Sequence, residues 1–395
     1  MHARLAVLFF ILNTLAMGAD AAPTASAPAA SSSSAVAAPA PAASSASASA
    51  PAAAAAASAT GARRGGGRGG APMSDADKAE IAKLFDLPDF KSDSGEGDFQ
   101  IKPPYANAPE QTPRDNVPKG KVTHFTMAAA DSKYYPNTGL RGETPTRDVW
   151  VYVPSQYVPG TPAPFIVTHD AMGGRNDSQQ LPTILDNLIA DKRVPVMVAI
   201  MVNHGGGDGP GSERGLEYDT VSGKYAEFIE NEVLPRVTKE TGVTLTKDPN
   251  ARATMGGSSG GAVAFSMAWF HPELYHRVIT YSGTYVIQAP APDYPHGAWE
   301  YPEHLVPNNP AKPLRIWMEV AQNDNSSTAP SSGFHNWVIA NIRMAAALKA
   351  KGYHYQFVFA QGAGHVDTKV VGQTMAHAIE WAWKDYNPAA ATANP

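Results

Sequence analysis

Cysteine is absent from all 395 residues. No disulfide framework and no lipid-modified cysteine is possible, and no thiolate is available to a metal. If the chain is exported, it has to be stable on core packing alone. Charge is sparse as well: 17% of residues are charged and the balance is −5, which leaves no electrostatic footprint for nucleic acid. Long apolar runs are also missing. Leu5 to Leu12 is too short to span a bilayer, and no later run approaches that length.

The N-terminus has other features of a leader. Arg4 supplies a thin positive region ahead of the apolar stretch, and Ala19-Asp20-Ala21 offers a small-x-small cleavage site. Residues 1–21 are therefore expected to be a secretory signal peptide, with an uncut membrane anchor as the alternative. Once cleaved, the protein would have no stable membrane insertion and would be secreted or periplasmic. Residues 22–72 are almost wholly Ala, Ser, Pro and Gly, ending in the cationic GARRGGGRGG, and are expected to form a disordered, solvated linker. Residues 73–118 begin with Ser74 and Asp77 in a capping-box arrangement, which predicts a short helix over Asp75–Phe85. The proline-rich stretch that follows reads as a segment wrapped over the surface, and 389–395 as a disordered tail.

From residue 119 to 388 the pattern alternates. Strands are expected at Lys121–Met127, Asp148–Val153, Pro164–Thr168, Val196–Val202, Arg252–Met255, Arg277–Tyr281, Arg315–Val320 and Tyr355–Phe359. Helices are expected near Leu181–Ala190, Lys224–Thr241, Gly260–Trp269, Asn336–Lys351 and Val371–Tyr386. Several strands are continuous apolar runs, as a sheet covered on both faces requires. The fold class is α/β, with a mostly parallel central sheet flanked by helices. In such sheets ligands bind beyond the carboxyl ends of the strands, so the loops there hold the candidate functional residues.

The most informative loop is GGSSGG, between the strand at Arg252 and the helix at Gly260. It fits G-x-S-x-G, in which a serine on a sharp strand-to-helix bend exposes its hydroxyl. Two registers fit. Gly256 to Gly260 makes Ser258 the nucleophile, and Gly257 to Gly261 makes it Ser259. We choose Ser258, because Gly260 and Gly261 then open the helix and the Ser259 amide is free as an oxyanion donor. The second oxyanion amide is expected from Ala171 or Met172, in the loop HDAMGG after the strand at Pro164. Asp324, in AQNDN after the strand at Arg315, is the candidate acid, with Glu319 and Asp293 less well placed. His365, on the turn QGAGH after the last strand, is the candidate base. There are twelve histidines in all, so position decides between them, and His335 is the rival. Arg214, Glu217 and Tyr218 either brace the loop GSERGLEYD or touch substrate. Trp299, with Tyr294 and Tyr301, either stacks on a substrate ring or packs into a lid. His335 is also a candidate substrate contact.

The segments VYVPSQYVPG, RGLEYDT with KYAEFIENEVLP, GGSSGG, YHRVITYSG, FHNWVIANIRMAAALKAKGY and GAGH resemble the Putative esterase family of α/β-hydrolases. That family includes enterochelin esterases and the feruloyl and acetyl-xylan esterases of carbohydrate esterase family one. The resemblance covers about Lys119 to Tyr386. It implies an α/β-hydrolase fold and a serine esterase using Ser258, Asp324 and His365, and it implies a small-molecule or carbohydrate ester as substrate. HDAMGG departs from the Asp-Gly pair common in relatives, and AQNDN from the usual small residues before the acid. No HExxH occurs, and no metal or cofactor is expected. A catalytically silent binding module, an acyltransferase and a peptidase or lipase on the same fold are the alternatives. The acyl group, the alcohol and the oligomeric state are not legible.

Overall fold

The computed structural model describes residues 72–136, 145–170 and 180–387. The expected signal peptide, nearly all of the linker, the C-terminal tail, and both Ala171 and Met172 lie outside the described residues. Among the described residues the strands are β1 (Gly97–Ile101), β2 (Lys121–Ala128), β3 (Thr146–Val153), β4 (Phe165–His169), β5 (Val198–Val202), β6 (Arg252–Gly257), β7 (Arg277–Tyr281), β8 (Arg315–Asn323) and β9 (His354–Gly364). They form one sheet in the order β1-β9-β8-β7-β6-β4-β5-β3-β2. Only β3 and β2 run antiparallel to their neighbours. The helices are α1 (Asp75–Ala82), α2 (Gln180–Ala190), α3 (Glu213–Tyr218), α4 (Lys224–Phe228), α5 (Leu234–Thr241), α6 (Ser259–Phe270), the short α7 (Val306–Asn308), α8 (Trp337–Ala350) and α9 (Thr368–Ala382).

Period-two alternation sends apolar side chains of the central strands to both faces. Val167, Ile200, Met318 and Phe357 pack with Phe228, Val237, Phe265 and Leu348 of α4, α5, α6 and α8. Ile166, Met201, Met255, Trp317 and Val358 pack with Leu185 of α2 and with Met375 and Ile379 of α9. Helix starts follow local chemistry: Ser74, Asn336 and Asp367 each accept an amide of the first turn of α1, α8 and α9. The helix expected over Lys224–Thr241 is continuous but widens to a π turn at Ile229–Val233. Pro235 has no N–H to close an α-turn there, and a wider turn accommodates it.

Two strands are longer than their apolar runs. β8 and β9 stay paired beyond the core, through an irregularity between Ala321 and Asn323, until Asn323 faces Gly364. The next residues are Asp324 and His365, so this pairing sets them side by side. The segment expected only to wrap the surface supplies β1, which pairs in parallel with β9. Its polar and glycine residues hid it from periodicity.

A chain beginning at Lys102 would lack α1 and β1, leaving β9 as a bare edge and removing the buried Leu84 and Ile101. At about 1.5–3 kcal/mol per buried aliphatic side chain and roughly 2–4 °C per kcal/mol, its thermal midpoint should fall about 10 °C below that of a chain beginning at Met73. Calorimetry on the two chains checks this.

Candidate active site

The turn between β6 and α6 carries its strain on the serine itself. Ser258 lies at φ 58°, ψ −130°, a region costing a non-glycine residue about 1–3 kcal/mol. The neighbouring glycines relieve contacts instead. A Cβ on Gly256 would lie 2.2 Å from the Gly260 carbonyl oxygen, and one on Gly257 would lie 2.9 Å from Val366. The bend is fixed by backbone bonds: Ser258 N–H donates to the Tyr281 carbonyl (2.9 Å), and Thr284 N–H donates to the Ser258 carbonyl (3.1 Å). Helix α6 begins at Ser259, one residue earlier than expected. Its first amides have no intrahelical acceptor and sit at the positive end of the helix dipole.

Ser258 is half-buried, with its hydroxyl oxygen 2.8 Å from His365 Nε2. His365 Nδ1 lies 2.6 Å from Asp324 Oδ1. The Asp324 side chain is fully buried, and its Oδ1 also accepts the Asn325 amide at 2.7 Å. The imidazole can therefore take the serine proton while a carboxylate faces its other nitrogen. His365 is held from behind: Val366, at φ 47°, donates its N–H to Ser282 Oγ at 3.1 Å.

Of the two candidate histidines, only His365 reaches the serine and the acid. His335 stacks edge-on against Trp337, ring centroids 5.0 Å apart, and Trp337 in turn meets His365 edge-on at 6.1 Å. The indole thus separates the two imidazoles. Asp293 is exposed in a loop. Glu319 is buried on β8, opposite Tyr281 of β7.

Three expected substrate contacts are engaged elsewhere. Trp299 is 0% exposed and packs edge-on against Phe334 under the Arg343 guanidinium, so it is part of the lid's own core. Glu217 is 1% exposed; it accepts Arg147 Nε at 2.9 Å and the Gly205 amide at 3.1 Å. Arg214 grips Asp170 with Nε (3.1 Å) and Nη2 (2.6 Å), while its Nη1 holds Asp208 at 2.9 Å. All three residues brace loops. A buried charge stays charged only where such partners exist; Arg214 has them in Asp170 and Asp208, while burial pushes the Glu217 carboxyl up to about 7. Asp170, at φ 56°, ends β4 at the entrance to the loop containing Ala171 and Met172. Nearby His169 is wholly buried against Thr254 Oγ1 (2.9 Å), and burial lowers its imidazole to about 3, so it stays neutral. Tyr301 is buried too, its hydroxyl 2.6 Å from Ser266 Oγ, while Tyr294 is half-buried.

Sequence reading passed over Thr284, in the YSGTY loop after β7. Its Oγ1 is 3.4 Å from Ser258 Oγ and accepts Trp337 Nε1–H at 3.3 Å. The strand-end rule that located the other residues applies to this loop as well.

A mostly parallel sheet between two helical layers, with a serine on a strained strand-to-helix turn after β6, defines an α/β-hydrolase. The family described as Putative esterase matches over residues 144–373, more than half of the chain, and this chain belongs to it. Among solved structures, the enterobactin esterase FES from Shigella flexneri, with 2,3-dihydroxy-N-benzoyl-glycine, has a TM-score of 0.50 and 16% identity, covering 68% of this chain and 62% of that one. The CE1 ferulic acid esterase AmCE1/Fae1A from Anaeromyces mucronatus has a TM-score of 0.51 and 16% identity, covering 71% of this chain and 96% of that one. At these identities the likeness is one of fold. No curated protein matches the chain. Among the described residues, no helix is long and apolar enough to cross a membrane.

Burial, and then the charge of Asp324, raise the Glu319 carboxyl well above its ordinary 4.5. The unfolded chain releases this proton near 4.5 and the folded chain only at a much higher pH, so stability is lost as pH rises between the two values. Glu319→Gln should match wild type in thermal midpoint near pH 4 and exceed it increasingly from pH 5 to 8. Parallel melting curves across that range would mean that Glu319 is charged in the fold.

Proposed function

We propose that this protein is an exported serine esterase that cleaves a carboxylic ester through an acyl-enzyme, with Ser258 as nucleophile, His365 as base and Asp324 as acid. The observation that carries this reading is the unbroken line from Ser258 Oγ to His365 Nε2 and from His365 Nδ1 to Asp324. Membership in the esterase family supports it. In this reading His365 removes the hydroxyl proton as Ser258 Oγ attacks the ester carbonyl. Charge on the carbonyl oxygen meets the Ser259 amide at the start of α6 and an amide of Ala171 or Met172 beyond β4. The protonated imidazole, steadied by Asp324, gives its proton to the departing alcohol. Water then repeats the sequence on the acyl-enzyme.

The first esters to test are of siderophore, feruloyl and acetyl-sugar type, since enterobactin and ferulic acid appear in the names of the structural neighbours. Export rests on the leader-like residues 1–21. No part of the chemistry proposed here requires a metal.

Fluorophosphonate labelling followed by intact mass tests the assignment. Wild type and Ser259→Ala should each gain one adduct and Ser258→Ala none; an adduct lost only in Ser259→Ala would move the nucleophile by one residue. With an aryl ester, Ser258→Ala and His365→Ala should each lower kcat by about four to six orders of magnitude. A folded wild type that neither labels nor turns over ester would instead be a binding module.

A further inference from the structure

The donor and acceptor capacities around Ser258 leave only one direction for its hydrogen bonds. An indole N–H only donates, so Thr284 Oγ1 accepts from Trp337 Nε1 at 3.3 Å. Among the described residues, the other hydrogen-bond contact of that hydroxyl is Ser258 Oγ at 3.4 Å. At the far end, His365 Nδ1 donates to the Asp324 carboxylate at 2.6 Å, so its Nε2 carries a lone pair and takes the Ser258 proton at 2.8 Å. Ser258 has one proton and it points to His365. In the remaining contact Ser258 must accept, and Thr284 must donate.

We infer that Thr284 is a further residue of the reaction, a second hydrogen-bond donor to the nucleophilic oxygen, with its donor direction set by Trp337. This rests on the reading of Ser258 as nucleophile. The chain runs Trp337 N–H to Thr284 O–H to Ser258 O–H to His365, and every donor points the same way, the arrangement in which hydrogen bonds strengthen one another. Thr284 is 1% exposed and Trp337 4%, so water does not compete for the bond. Its backbone is pinned as well. Thr284 N–H donates to the Ser258 carbonyl at 3.1 Å, and Asn341 Nδ2 donates to the Gly283 carbonyl at 2.9 Å.

Thr284 keeps its proton throughout. As His365 removes the Ser258 proton, negative charge rises on Oγ before the bond to the carbonyl carbon is complete, and the Thr284 O–H faces that charge. In deacylation Oγ leaves the tetrahedral carbon with the bonding electron pair, and the same O–H stabilises it until His365 returns the proton. The contribution therefore falls on both chemical half-reactions and not on substrate binding.

The test is the second-order rate of fluorophosphonate inactivation across pH, alongside kcat and KM for an aryl ester, on full-length wild type, Thr284→Val, Thr284→Ser and Trp337→Phe. Thr284→Val keeps the shape and removes the donor. It should inactivate about 10-fold more slowly, the scale of a bond to a charged acceptor, with kcat lowered and KM unchanged. Thr284→Ser should recover to within about twofold of wild type, and Trp337→Phe should be slowed roughly threefold through loss of cooperative strengthening. Equal rates for a folded Thr284→Val and wild type would overturn the inference. So would a Thr284→Ser as slow as Thr284→Val, which would point to packing. If Thr284→Val does not fold, Trp337→Phe decides: a wild-type rate there overturns the inference. A wild type that is folded but unlabelled at Ser258 would instead defeat the esterase reading beneath it.

Discussion

The backbone of Ser258 is the constraint on which the site depends. At φ 58° it occupies a conformation that an isolated serine populates sparsely, and the surrounding fold over-determines it. β6 delivers the residue along the sheet, and its N–H is fixed to Tyr281 of the neighbouring strand. Its carbonyl is taken up by Gly261, Ala262 and Thr284. Gly256 lets the start of α6 fold back onto the strand, where any side chain would strike the Gly260 carbonyl. The strained angle turns the hydroxyl out of the sheet plane toward His365, which arrives from β9, three places from β6 in the sheet, beyond β7 and β8. The cost is met by the packing of α6 between β4, β6 and β7.

A second layer of charge holds the loops around that point. Arg147, at the start of β3, is 1% exposed and reaches Glu217 and Glu213 of α3. Arg214, from the same short helix, reaches back to Asp170 at the end of β4. Together they tie β3, α3 and the exit of β4 into one unit. Buried ion pairs of this kind add little net stability against an apolar replacement. They do fix geometry, because a bidentate guanidinium accepts only a narrow range of carboxylate positions. The exit of β4 leads to the loop from which the second oxyanion amide is proposed, so precision there is more useful than stability.

Legibility followed burial. The central strands Phe165–His169, Val198–Val202 and Arg277–Tyr281 are buried along their length, and their apolar runs gave them away. Ser258, Asp324 and His365 were legible because each stands at a strand end among glycines or turn residues, where side chains have little structural work. Three kinds of residue were not. β1 reads GDFQI, too polar to register as a strand, because it lies at the sheet edge and its pairing is made by backbone. Trp299 and Glu217 looked like contact residues because aromatic and charged side chains in glycine-rich loops usually face outward; here one fills the lid and the other is matched by Arg147. Thr284 carries no signal of its own, since its part depends on an indole more than fifty residues later. Local patterns record spacing, not such long-range pairings.

Those long-range pairings extend further along the chain than the hydrolase elements themselves. Trp337 opens α8, and the loop before it is tied to the N-terminal helix: the Ser331 amide donates to Asp77 of α1 at 3.0 Å. Asp77 is 2% exposed and also faces Arg343, six residues along α8 from Trp337. Phe85, just after α1, meets Phe359 of β9 edge-on at 5.4 Å, six residues before His365. The segment from Ser74 to Ile101 therefore braces both the wall that carries the indole and the strand that carries the imidazole. That segment lies outside residues 144–373, the region matched by the esterase family, so the loop ahead of Trp337 is held by a contact that reaches beyond the matched region and spans some 250 positions of chain.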